Sequence, residues 1–260
     1  MKPTKFIKSY PLRFKGLLFG AFLSLASCGA PDAEKYELSS SELSYIAIDS
    51  RVLPADSVMD LMIAPYRDSL NKEMNQVIGT LPFAVDKGEP SGPLNNFVPD
   101  MLLEEATRNL SVKPDFCLLN YGGLRYSLPQ GNITRNDVFQ LMPFENELVV
   151  VKVNPQGMKM LFEYLYNEGT QPVSALMVKF GKEGSYTAKV AGKPWNPKAS
   201  YYILTNDYLL KGGDQMNFFA LNDTVIHTNI LIRDAIFQYF SIHQSDNKIL
   251  KIDTLQRIFY

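Results

Sequence analysis

From residue 56 onward the apolar positions fall into helical and strand-like periods that alternate without a fixed order. Residues 56–79 set Met59, Met62, Ile63, Tyr66, Leu70, Met74 and Val77 at three- and four-residue spacing. That spacing predicts an amphipathic helix stopped by Gly79, with Pro65 as the place for a kink. A Gly/Pro-rich link covers residues 87–93, and a second helical pattern then runs through Phe97, Met101, Leu102 and Ala106. Short apolar runs at 116–119 and 148–153 predict strands. Between them Thr134 and Asp137 have the spacing of a capping box opening a short helix. Residues 155–169 start on Pro155, end on Gly169 and carry Met158, Leu161, Phe162 and Leu165, a further helix. Strand-like runs follow at 175–180, 186–191 and 200–206, and a last helix over 230–242 places Ile232, Ile236 and Phe240 four residues apart. With no strict strand–helix–strand rhythm, the pattern predicts an α+β fold with a mixed sheet, in one domain over residues 51–260.

The first 50 residues follow another logic. Lys2, Lys5, Lys8, Arg13 and Lys15 precede an apolar run over 16–26, with no acid among them. The run is shorter than the ~20 residues a membrane span needs. It ends in Leu25-Ala26-Ser27-Cys28, the small-residue pattern before a lipid-modified cysteine. Residues 1–27 therefore read as a lipoprotein signal peptide, Cys28 as the acylated mature N-terminus and residues 28–50 as a tether. An ordinary cleaved signal followed by a chance cysteine is the alternative. Gly29 gives no signal for inner-membrane retention, so the expected location is an exported, outer-membrane-anchored lipoprotein.

Removal of that segment takes away five bases and no acid, moving the net charge from −1 to about −6. An acidic balance supplies no counterion-release drive toward DNA or RNA, and no nucleic-acid polymer is expected as a partner. With Cys28 acylated, Cys117 has no disulfide partner within the chain; in the run Phe116-Cys117-Leu118-Leu119 it reads as a small buried hydrophobe.

Two stretches carry chemistry. In Asn120-Tyr121-Gly122-Gly123-Leu124-Arg125 a strand gives way to a Gly-Gly turn that lets the backbone approach a ligand, flanked by Asn120 and Arg125. Asn offers a donor and an acceptor, Arg a forked, permanently charged donor set suited to phosphate. The same residues read equally as a strand-ending turn with a solvated Arg. The second stretch runs from Thr205-Asn206-Asp207-Tyr208 through Gly212, Gly213 and Asp214. An ionised Asp suits the paired hydroxyls of a ribose and an aromatic gives a stacking face for a base, whereas a polar loop with a capping Asp is the plainer reading. Between them lies Met142-Pro143-Phe144-Glu145-Asn146.

Taken in order, these segments, together with Gly131-Asn132-Ile133-Thr134 and Asp137-Val138, resemble the C-terminal domain of the bacterial and animal 5'-nucleotidase family. The resemblance covers roughly residues 55–225 and implies a layered α/β/β/α sandwich that holds the nucleoside part of the substrate. It further implies Phe144 and Tyr208 as the base sandwich and Asp214 as the ribose ligand. Asn120, Arg125 and Asn146 become further polar contacts, with Gly122, Gly123, Gly212 and Gly213 forming the turns. The family often has an Arg ahead of the segment matching residues 94–100; here Glu89, Pro90 and Ser91 stand there.

Full-length family members also carry a dinuclear metallophosphatase domain. This chain has two histidines, His227 and His243, both read as structural, with no H-x-H or G-N-H arrangement, no G-x-S-x-G elbow and no Walker loop. The expectation is therefore a recognition component that holds no catalytic residue, cofactor or metal of its own. Its partners would be a nucleotide or nucleoside, the membrane through lipid on Cys28, and a separate metallophosphatase polypeptide holding divalent metals. A nucleoside-binding lipoprotein for uptake is the second expectation.

Overall fold

The computed structural model describes residues 56–245 and 250–260. The signal segment, Cys28, the tether and residues 51–55 lie outside the described residues.

Helix α1 (Ser57–Met74) runs through Pro65, and strand β1 (Val77–Leu81) follows it. Helix α2 (Pro93–Asn109) starts on a proline, where the missing N–H has no intrahelical partner to lose. Strand β2 (Phe116–Leu118) leads through a 3-10 turn, Tyr121–Gly123, toward β3 (Gly131–Thr134). Helix α3 (Arg135–Leu141) opens on the complete capping box: Asp137 N donates to Thr134 Oγ1 at 3.3 Å, and Thr134 N donates to Asp137 Oδ2 at 2.7 Å. After β4 (Glu147–Val153), Asn154 Oδ1 caps α4 (Pro155–Glu168) by accepting from Gln156 N and Gly157 N, both at 3.0 Å. The second half holds β5 (Val173–Ser174), β6 (Leu176–Phe180), β7 (Tyr186–Val190), β8 (Lys193–Pro194) and β9 (Tyr201–Asn206). It closes with the one-turn α5 (Asp207–Leu210), β10 (Asn222–Leu231), α6 (Ile232–Ser245) and β11 (Ile258–Phe259).

A five-stranded sheet of order β10-β4-β9-β2-β5 forms the centre, parallel between β2 and β9 and antiparallel elsewhere. The middle of each inner strand is apolar because both faces are covered there, and alternate side chains enter different cores. Val149, Val151, Phe116, Leu118 and Ile203 meet Met158, Leu161, Phe162 and Leu165 of α4, with Val178 and Val190 of the four-stranded sheet β11-β6-β7-β8. On the opposite face Leu148, Val150, Cys117 and Leu204 meet Phe97 and Met101 of α2 and Ile232, Ile236 and Phe240 of α6. The result is an α+β fold with mixed sheets flanked by helices, as the periodicity predicts. Cys117 is a free, buried thiol whose pKa burial pushes well above its ordinary value.

Two expectations are corrected. The first helix ends at Met74 rather than Gly79: Val77 and Gly79 belong to β1, which pairs antiparallel with β3. Gly79 is required there by close approach, since a Cβ would lie 2.5 Å from Phe240 Cδ1. Among the described residues, the apolar side of α1 also joins neither core. No residue of the helix is buried, and Leu61, Met62, Tyr66 and Leu70 are largely exposed. The final helix starts at Ile232, and the ten-residue β10 before it is a strand that the apolar pattern does not announce.

Candidate functional site

The first wall of the site is the turn after β2. Asn120 is nearly buried, and its side chain crosses under the turn; a Cβ on Gly123 would stand 2.6 Å from Asn120 Oδ1, so only glycine leaves room. The turn is stapled from outside. Lys87 Nζ donates to the carbonyls of Tyr121 at 3.2 Å and Leu124 at 3.0 Å and sits 4.1 Å from the centre of the Tyr121 ring. Burial, reinforced by the nearby Arg125 charge, lowers the Lys87 pKa. Tyr121 N donates to Gln171 Oε1 at 2.8 Å, and Arg125 Nη1 donates to the carbonyl of Gly122 at 3.2 Å.

The second wall leaves β9. Asn206 caps α5, its Oδ1 accepting from Leu209 N at 2.9 Å, so Tyr208 stands on the first turn of that helix. Gly212 then turns with φ +87°, and Asp214 and Gln215 hold φ +49° and +61°. Non-glycine residues rarely adopt this left-handed region, and such strain clusters where a side chain must be aimed. Asp214 is aimed at the first wall: Oδ2 accepts from Asn120 Nδ2 at 2.6 Å and Oδ1 from the Tyr208 hydroxyl at 2.7 Å. Its carbonyl accepts from the Tyr164 hydroxyl at 2.9 Å. The bond to Asp214 raises the Tyr208 pKa, and burial, followed by the Asp214 charge, pushes Tyr164 up to about 12. The Tyr208 ring lies flat against Gly213, where a Cβ would come within 2.4 Å of it.

The third wall is the segment between α3 and β4. Ile232 N donates to the carbonyl of Asn146 at 3.0 Å, and the buried Arg233, stacked over Phe139 at 4.2 Å, reaches the carbonyl of Met142 at 3.4 Å. Asp207 ties this segment to the second wall. Its Oδ1 accepts from Asn146 Nδ2 at 3.2 Å and Glu147 N at 3.1 Å, while Oδ2 accepts from Lys211 Nζ at 2.8 Å. Burial works to raise the Asp207 pKa, and these bonds outweigh it, leaving the pKa lowered.

The three walls enclose a cavity of about 540 Å³. Of the residues singled out in the sequence, Asn120, Gly122, Gly123, Arg125, Phe144, Asn146, Tyr208 and Asp214 line it. Gly212 and Gly213 do not. They form the turn behind Asp214, with Gly213 under the Tyr208 ring. Phe144 and Tyr208 are 42% and 45% exposed, which leaves aromatic surface open to the cavity. Leu119, Leu124, Met142, Glu145 and Asn206 also line it without carrying a motif signal of their own; each sits within or beside a motif segment. His227 bonds Glu147 at 3.1 Å and His243 stacks on Tyr239 at 4.0 Å, both away from the lining. Among the described residues no group of three or more His, Cys, Asp or Glu side chains could hold a metal ion.

An aimed carboxylate and two exposed aromatics thus meet at one cavity of a mixed α+β frame, with the two Gly-Gly turns shaping its walls. The chain matches the family "5'-nucleotidase, C-terminal domain" over residues 77–221 and belongs to that family. Protein UshA of Yersinia enterocolitica is 27% identical over 135 residues, 50% of this chain and 24% of that protein. The probable 5'-nucleotidase of Treponema pallidum is 26% identical over 149 residues, 50% of this chain and 25% of that one. The chain thus spans about a quarter of the length of these curated relatives. In fold it is similar to the 5'-nucleotidase precursor of Thermus thermophilus, with TM-score 0.65 and 22% identity over 80% of this chain and 44% of that one. No described helix is long and apolar enough to cross a membrane.

Proposed function

We propose that this chain is the nucleotide- or nucleoside-recognition component of a split, lipid-anchored 5'-nucleotidase, working with a separate metallophosphatase polypeptide. The observation that carries the reading is the meeting, in one cavity, of Phe144 and Tyr208 with Asp214 and Arg125. Exposed aromatic faces suit a base, an aimed carboxylate suits a ribose diol, and a guanidinium at the rim suits a phosphate. The domain would contribute orientation, holding the nucleoside so that its phosphate reaches metals on the partner. Cys28 would carry the lipid, residues 28–50 would form the tether, and residues 51–260 the domain. The setting would be the outer membrane of an exported lipoprotein.

A nucleoside-binding lipoprotein for uptake is the second reading, favoured by the charge of the cavity. Its lining holds Arg125 as cation against Glu145 and Asp214, and the Lys87 ammonium is turned onto backbone carbonyls. Calorimetry on the purified chain with adenosine and with AMP, alongside a phosphatase assay with divalent metal, tests both. The split enzyme requires tighter binding of AMP, no hydrolysis by the chain alone, and hydrolysis on addition of the partner. Equal or tighter binding of adenosine supports capture. Hydrolysis by the chain alone, abolished by a substitution in this cavity, defeats both readings.

A further inference from the structure

The paired strands β4 and β9 run in register from Val153–Tyr201 up to Leu148–Asn206, and there the ladder stops. It stops because residue 207 begins α5, whose backbone winds away from β4. The next rung is made by a side chain instead. Asp207 Oδ1 takes the N–H of Glu147 at 3.1 Å and the amide of Asn146 at 3.2 Å. Those donors sit two and three residues beyond Phe144 in the chain, and Asp207 directly precedes Tyr208. The shortest bonded path between the two aromatic side chains of the cavity therefore runs through this one carboxylate. Asp207 itself is absent from the cavity lining, and its second oxygen faces the exposed Lys211.

We infer that Asp207 is a positioning residue which sets the separation of Phe144 and Tyr208, and with it the thickness of the flat group the cavity accepts. The inference rests on the nucleoside reading above. A base stacked on both sides needs its walls about two ring thicknesses apart, and a wall on a short loop holds that separation only when its neighbour fixes it. The carboxylate does so with two bonds to the same oxygen, one from backbone and one from a side chain.

Adenosine affinity, measured by calorimetry on the full chain, tests this. Asp207→Ala should weaken binding about tenfold, the scale on which loss of one stacking contact acts. Asp207→Asn should stay within about threefold of wild type, since its amide oxygen still accepts from residues 146 and 147. Lys211→Ala should leave the affinity unchanged; a loss equal to that of Asp207→Ala would assign the effect to the ion pair and overturn the inference. The decisive arm is a cycle with Phe144→Ala. With one wall gone its spacing has nothing to act on, so the double variant should bind no more weakly than Phe144→Ala alone. Losses that multiply, to about a hundredfold, would show a general structural defect and sink the idea. Asp207→Ser, too short to reach both donors, replaces the alanine variant if circular dichroism shows that Asp207→Ala does not fold. A wild-type chain that binds no adenosine removes the nucleoside reading and this inference together; wild-type binding untouched at residue 207 removes the inference alone.

Discussion

At the scale of single residues, the site depends on which lone pairs and which faces remain available. An ionised carboxylate has about four acceptor positions, and Asn120 and Tyr208 occupy two on Asp214. The others remain for hydroxyls of a ligand, so the existing bonds aim the group without blocking it. The Tyr208 hydroxyl therefore helps to hold Asp214, while in the proposed function its ring would supply the stacking face. Tyr208→Phe should keep adenosine affinity within about threefold, whereas Gly213→Ala, whose new methyl displaces the ring, should cost about tenfold. Calorimetry reads the affinity, and an unchanged melting temperature for Gly213→Ala separates ring displacement from unfolding. Tyr208 and Asp214 are legible in the sequence because an aromatic and an acid flank a turn signal. Asp207 lies in the same motif, yet its role is not legible there. That role depends on where the β4–β9 ladder ends, and the register of two strands about 50 residues apart is not written in either one.

Among the elements, those with strong periodicity and proper ends are readable. α4 announces itself by Pro155, Gly169 and four core residues, and α3 by its capping box. β10 is not readable, because it lies at the edge of the central sheet and its apolar residues come in two pairs, Val225-Ile226 and Ile230-Leu231, among polar runs, with no alternation to mark a strand. Its pairing with β4 supplies the order that its composition does not. α1 shows the opposite mismatch. Its apolar spacing is correct for a helix, but periodicity records only that a face exists and says nothing of what that face meets. The boundary between α1 and β1 is hidden because Gly79 resembles a helix stop, whereas its purpose is to let β1 pass under Phe240. Gly79→Ala should destabilise the fold by about 1–3 kcal/mol through overpacking, read from denaturant midpoints at constant slope. No change would mean that the Phe240 ring yields without cost.

Over the whole molecule, one sheet buried on both faces divides the interior into two cores, and the C-terminal tail sews their edges together. Arg257 makes a paired contact with Asp100 of α2, both bonds at 2.7 Å, and donates to the carbonyl of Val173 in β5 at 2.6 Å and to Asp253 at 2.8 Å. Its backbone carbonyl accepts from Val178 N of the second sheet at 2.9 Å. Arg257 is largely buried, whereas the carboxylates it would leave behind, Asp100 and Asp253, are a third or more exposed. Arg257→Ala therefore loses its hydrogen bonds rather than stranding a buried charge and should cost about 1–2 kcal/mol in a urea titration. A shift under ~0.5 kcal/mol would show the tail to be an accessory. The contact that closes the cavity, Asn120 to Asp214, joins positions 94 residues apart in the chain. Such a bond needs both of its supporting segments, the turn after β2 and the turn after α5, to be docked on the central sheet. Any compound that binds only this assembled cavity stabilises the folded state: at a hundred times its Kd it adds about 2.7 kcal/mol. Thermal shift across a panel of nucleosides and nucleotides can therefore rank candidates by the rise in Tm, without an assay for the reaction they enter.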